Sequence, residues 1–166
     1  MAVNSLRDAM LEELRDMLSA EKQLTKALPK LAKKSSHAEL KKAFESHLKE
    51  TERHVERLEQ VFEALGKSAR AQRCHAMEGI IEEGKEMMEK DAEPDVRDAM
   101  LIGSAQKAEH YEIATYGTLC TWAELLGEEK VLKLLRQNMD EEESADKKLT
   151  QIAKSTVNRE AMHAGV

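Results

Sequence analysis

Glu21, Glu50, Glu112 and Glu142 fall where an amphipathic helix places apolar side chains, and each belongs to a different helical segment. Glu50 and Glu142 are each followed four residues on by a second ligand type, His54 and Asp146. A carboxylate on the inward stripe of a bundle is costly to bury unless a positive charge neutralises it. Four helices sending carboxylates to one level can hold a pair of metal ions. The two halves of the chain echo each other: Glu50 and His54 lie 29 and 33 residues after Glu21, and Glu142 and Asp146 lie 30 and 34 after Glu112. Oxygen-rich ligation with one imidazole suits iron or manganese better than structural zinc or copper. The pattern predicts two metal ions per chain, iron or manganese. Glu50 and Glu142 are the expected bridges and Glu21 and Glu112 the terminal ligands, with His54 and Asp146 completing the set.

Some positions stay open at this level. Glu143-x-x-Asp146 competes with Glu142-x-x-x-Asp146, so either glutamate can be the ligand. Glu109 lies one turn before Glu112, and one or both can bind. His47 is also inward, and a hydrogen-bonded core histidine or the partner of a ligand is the simpler expectation than a ligand. Tyr116, one turn after Glu112, suits a hydrogen bond to a ligand carboxylate or an ordinary half-buried site equally well. Asp16 lies on another face from Glu21 and reads as surface or as a neighbour of the ligands. His37, His75, His110 and His163 lack a carboxylate on the same stripe and are expected at the surface. Cys74 reads as a packed free thiol.

The elements that must position these side chains are helices. Of 166 residues, 35% are charged and 3% aromatic, with two prolines. That composition favours long helices over strands and one all-α domain spanning residues 1–166. Periodicity predicts helices over about 5–34, 36–65, 74–90, 95–126 and 128–155. The first should start at a Ser5/Asp8 cap and kink at Pro29. The second should open on a Ser36–Glu39 capping box and stop at Gly66, and the fourth should stop at Gly127. Two antiparallel hairpins joined by a long crossover with its own helix give a four-helix bundle. The tail from about Thr156 is expected to be loosely ordered.

Other classes fit poorly. A net charge of −6 without a basic block argues against nucleic acid. Apolar runs are too short to cross a membrane, and the N-terminus lacks the pattern of a secretory signal. Two distant cysteines make no disulfide framework, so a reducing cytoplasm is the expected compartment.

Several stretches resemble the YciE/YciF family of ferritin-like, stress-associated bacterial proteins. They are Ser19-Ala20-Glu21-Lys22-Gln23-Leu24 with Leu28-Pro29-Lys30, His47-Leu48-Lys49-Glu50-Thr51 with His54-Val55-Glu56-Arg57-Leu58-Glu59, and Cys74-His75-Ala76-Met77-Glu78-Gly79. Glu109-His110-Tyr111-Glu112-Ile113-Ala114 with Tyr116-Gly117, and Asp140-Glu141-Glu142 with Asp146, complete the likeness over nearly the whole chain. The resemblance implies a ferritin-like four-helix bundle with a dinuclear centre, usually taken to be iron, in a homodimer. The family name speaks to fold more than to reaction; it is the carboxylate-bridged pair of ions that suits binding and two-electron reduction of O2 or peroxide. Iron oxidation and storage, or a helical interaction protein with a structural metal, are the alternatives. Glu109-x-x-Glu112 resembles the paired helix glutamates of rubrerythrins. In rubrerythrins and manganese catalases, however, Glu-x-x-His brings two histidines to the site; the analogous positions here read Glu50-x-x-x-His54 and Glu142-x-x-x-Asp146.

Overall fold

The computed structural model describes residues 3–164, and among them all regular structure is helical. The elements are α1 (Leu6–Lys34), α2 (Ala38–Ala64), α3 (His75–Glu89), α4 (Pro94–Leu125) and α5 (Glu129–Ile152), then a π-helical turn (Ala153–Val157) and α6 (Asn158–His163). α1 packs on α2 and α4 on α5; α2–α5 and α1–α4 contacts close the bundle, and α3 in the crossover lies against α1 and α4.

Local chemistry sets the helix limits. The Ser5 hydroxyl accepts the Asp8 backbone N–H at 3.1 Å and donates to the Asp8 carboxylate at 2.7 Å, which starts α1. α1 then runs unbroken through Pro29. Its inward stripe of Leu14, Met17, Glu21, Leu24, Leu28 and Leu31 is buried throughout. α2 and α4 end on Gly66 (φ 65°) and Gly127 (φ 70°), whose left-handed backbone lets the following amides reach back to the last carbonyls. α4 is buried on more than one side, because α3 and α6 cover what the bundle does not. It therefore lacks a single apolar stripe.

Two expectations are corrected. The capping box at the start of α2 does not form: His37 stands at the N-cap position without a side-chain bond. Asp98, fully buried on α4, takes over, accepting the backbone N–H of Ser36 at 3.0 and 3.1 Å and of His37 at 2.7 Å. A charged acceptor from another helix satisfies two orphan amides at once, which Ser36 could not do. The tail is also ordered. Val157 is buried and the π turn and α6 both pack on α4, so its last turns serve as a cover for that helix.

The tertiary cap yields a prediction. Asp98→Ala leaves two amides without their acceptor and should lower stability by about 2–3 kcal/mol in urea unfolding. Asp98→Asn, which keeps one acceptor oxygen, should recover part of this. An unchanged urea midpoint in Asp98→Ala would mean that water caps α2 equally well.

Candidate metal centre

The bundle gathers six buried side chains at one level. α1 supplies Glu21, α2 supplies His47 and His54, α4 supplies Glu109 and Glu112, and α5 supplies Glu142. Their donor atoms form two groups able to hold a metal ion: His47, Glu109, Glu112 and Glu142, and Glu21, His54 and Glu142. Within each group the atoms lie within 4.8 Å of one another, and Glu142 belongs to both. His47 Nε2 stands 3.2 Å from Glu109 and 3.3 Å from Glu142; His54 Nδ1 stands 2.8 Å from Glu142 and 3.3 Å from Glu21.

These approaches do not complete the hydrogen bonding. Glu21 Oε2, Glu109 Oε2, both oxygens of Glu112 and Glu142, His47 Nε2 and His54 Nδ1 are buried without a hydrogen-bond partner. So many orphaned acceptors in one place are rare in a native core. Cations placed among them would satisfy carboxylates and imidazole lone pairs together, so the donor set fits metal ions.

The opposite ring edges are anchored. His47 Nδ1 lies 3.1 Å from the Glu50 carboxylate, and His54 Nε2 lies 2.8 Å from Glu141. A carboxylate on the far nitrogen fixes the tautomer and orients an imidazole toward a metal. Arg57 grips Glu141 with two bonds of 2.9 Å and donates a third, also 2.9 Å, to Asn138. Asn138 donates to the Tyr116 hydroxyl at 2.9 Å, and that hydroxyl donates to Glu21. One guanidinium thus steadies both protein ligands that complete the Glu21/His54 group around Glu142.

Burial and crowding shape the protonation of the metal-free cluster. Burial raises Glu112 well above the carboxylate range, helped by the charges of Glu142 and Glu21. Burial also raises Glu142 to about 8, although His47 and His54 oppose it. Burial works against the charged form of His54, but Glu142 and Glu21 outweigh it and lift the ring to about 10. His47 is likewise raised, with Glu109 and Glu142 overcoming its desolvation. Protons thus stand where cations would otherwise be needed.

Of the eight residues singled out from sequence, the structure brings Glu21, His54, Glu109, Glu112 and Glu142 into the two groups. The other three lie outside them. Glu50 sits on the flank of α2 and holds His47, because Thr51 takes the inward position between the histidines. Glu143 points outward, its side chain 43% exposed and 3.6 Å from Lys147. Asp146 accepts from Gln106 at 3.0 Å and lies 3.3 Å from exposed His110. The inward stripe of α5 runs through Val131, Leu135, Asn138, Glu142, Leu149 and Ile152, and position 146 falls beside it. His47 is the ligand candidate that sequence reasoning passed over. It lies seven residues, two helical turns, before His54, and that spacing was its signal. A cavity of about 400 Å3 between α2 and α5, lined by Lys42, Ser46, His47, Glu50, Glu109 and Lys148 among others, opens toward the His47 group.

Cys74 is buried and free, as expected, with its thiol pKa raised by burial. Its sulfur lies 3.2 Å from the Tyr111 hydroxyl, which donates to Asp16 at 2.6 Å. No helix among the described residues is long and apolar enough to cross a membrane.

Comparison with known proteins agrees with this architecture. The family profile described as "Domain of unknown function (DUF892)" matches residues 5–162. Protein YciF of Escherichia coli K12 is 48% identical over 162 residues, covering 97% of this chain and 98% of that one. The crystal structure of the E. coli stress protein YciF superposes with a TM-score of 0.91 at 47% identity, over 95% of this chain and 99% of that one. A Rhodopseudomonas palustris protein, YcfI, described as a putative structural protein, gives 0.89 at 42% identity, over 91% and 96% of the two chains.

Proposed function

We propose that this chain, which belongs to the DUF892 family, holds a dinuclear metal centre that reacts with O2 or peroxide in a bacterial stress response. Iron is the first expected metal and manganese the second. One observation carries the reading: Glu142 is shared by two adjacent buried groups whose acceptors have no other partners. Similarity to a protein named for stress supports the physiological setting.

Two bound iron ions would supply the electrons with which O2 or peroxide is reduced. The chain's own part is to place ligands and manage protons. Glu50 and Glu141 hold the two imidazoles in register through their far nitrogens. His47, His54, Glu112 and Glu142 give up protons as cations enter, since a ligand must present a lone pair. Tyr116 donates to one oxygen of Glu21, leaving the other free to bind. The cavity beside His47 offers a polar approach for small ions and peroxide. The chain is further proposed to act as a cytoplasmic homodimer.

Anaerobic reconstitution with Fe(II), followed by exposure to O2 and separately to peroxide, tests the reading. About two irons per chain and their rapid oxidation are expected. Bound iron that neither oxidant changes would leave only a structural metal. A folded protein that binds no iron would remove the centre altogether. Native mass separates a dimer from the many-subunit shell that storage requires.

A further inference from the structure

A second cavity, of about 240 Å3, lies between α1, α3 and α4. Its walls include Leu24, Leu28, Leu31, Ile80, Ile81 and Ala105. Glu109 lines it too, 2% exposed and with Oε2 unpartnered, so this apolar cavity and the polar one between α2 and α5 share a residue of the candidate centre. Exposed Lys26, Lys30 and Lys85 also line it, and Glu109 is the one acidic residue that does. Lys85 leans toward Glu82 at 3.6 Å, whereas Lys26 and Lys30 have no carboxylate within ion-pair distance among the described residues.

An apolar pocket with uncompensated cations at its surface selects a molecule with an alkyl chain and an anionic head. Burying the chain supplies affinity and the lysines choose the sign of the head. The volume lies just below the usual range of small-molecule pockets, about 300–1,000 Å3, which limits the chain to medium length. We infer that the α1/α3/α4 cavity binds a medium-chain carboxylate, its head at Lys26 and Lys30 and its tail running inward toward Glu109. Binding stands on the cavity alone. Only the further step, that such a molecule lies beside a reactive centre as a substrate or effector, rests on the metal reading.

Calorimetric titration of the full metal-free chain with saturated carboxylates from butanoate to dodecanoate tests the site. Affinity should rise by about fourfold per added methylene and level off once the tail fills the cavity. Decanoate should bind at least about tenfold tighter than decylamine, and the surface double variant Lys26→Glu/Lys30→Glu should remove that preference. Ala27→Phe, at a half-buried position of the lining, should weaken every member of the series without changing the melting curve. Decanoate that fails to bind at about 1 mM, or binds no better than decylamine, overturns the inference. So does a charge reversal without effect. Iron stoichiometry on the same preparation separates the two readings. Protein that loads metal but ignores decanoate loses only the pocket; protein that binds decanoate but no metal loses only the centre.

Discussion

In a Glu142→Ala variant, metal content is expected to fall from about two ions per chain to near zero. No other side chain belongs to both donor groups, so its loss removes a ligand from each. Loss of Glu21 or Glu109 strips one group only and should leave about half the metal. Glu143→Ala and Asp146→Ala should retain full content, because the first carboxylate faces solvent and the second serves Gln106. Arg57→Ala is the graded case. It releases Glu141 and Asn138, and with them His54 and Tyr116, so binding in the Glu21/His54 group should weaken by about 10–100-fold while the His47 group persists. Elemental analysis and competitive chelator titration read these outcomes, with circular dichroism confirming the fold. A folded Glu142→Ala protein that keeps both ions would disprove the shared ligand.

The second large effect concerns pH. In the metal-free protein Glu142 is raised to about 8 and Glu112 well above its ordinary value, so both hold protons in the folded state that the unfolded chain has released. His54, raised to about 10, and His47 do the same above their ordinary value. In all four cases the folded state binds more protons than the unfolded one, so stability must fall as pH rises through these windows. The carboxyl part is lost from the ordinary Glu value of 4.5 up to about 8, and the imidazole part from 6.5 up to about 10. Glu109 and Glu141 are lowered instead, so their contribution is present above the ordinary carboxylate range and lost only as pH falls below it. A tenfold difference in proton affinity between the folded and unfolded states is worth about 1.4 kcal/mol, so the summed loss is large beside the stability of a small domain. Bound cations replace the protons and remove this dependence. Thermal melts with and without chelator between about pH 5 and pH 9 should therefore diverge as pH rises, with the metal-free form melting progressively lower. Parallel curves would show that metal does not displace these protons.

The pattern that revealed the fold was periodicity, and it was strong because α1, α2 and α5 each bury one stripe, while α4 is buried on more than one side. Glu21, Glu112 and Glu142 were legible for the same reason: a carboxylate in register with leucines has to be explained. The sequence reading and the two donor groups differ where three- and four-residue steps compete. Pairing Glu50 with His54 at one turn obscured the two-turn pair His47 and His54, and it carried Asp146 into the site by analogy. Contacts between distant helices were beyond reach. That Asp98 caps α2, or that Arg57 holds two residues of α5, depends on how the hairpins dock, which no local pattern encodes. The tail looked disordered because it is polar, yet Val157 alone gives it a buried anchor on α4.

Neither donor group can be assembled from one hairpin. Each draws a histidine from α2 and Glu142 from α5, on opposite sides of the crossover. The Asp98 cap crosses the same divide, joining residues 62 positions apart. The two hairpins can form locally and early, but a metal ion has no complete set of ligands until they have docked. Cations bound this way lengthen the lifetime of the folded chain far more than they hasten its formation, because they must leave before the halves can part. On the proposed metal reading, withdrawing the cations would thereby shorten the chain's survival against proteases, coupling its abundance to the metal supply.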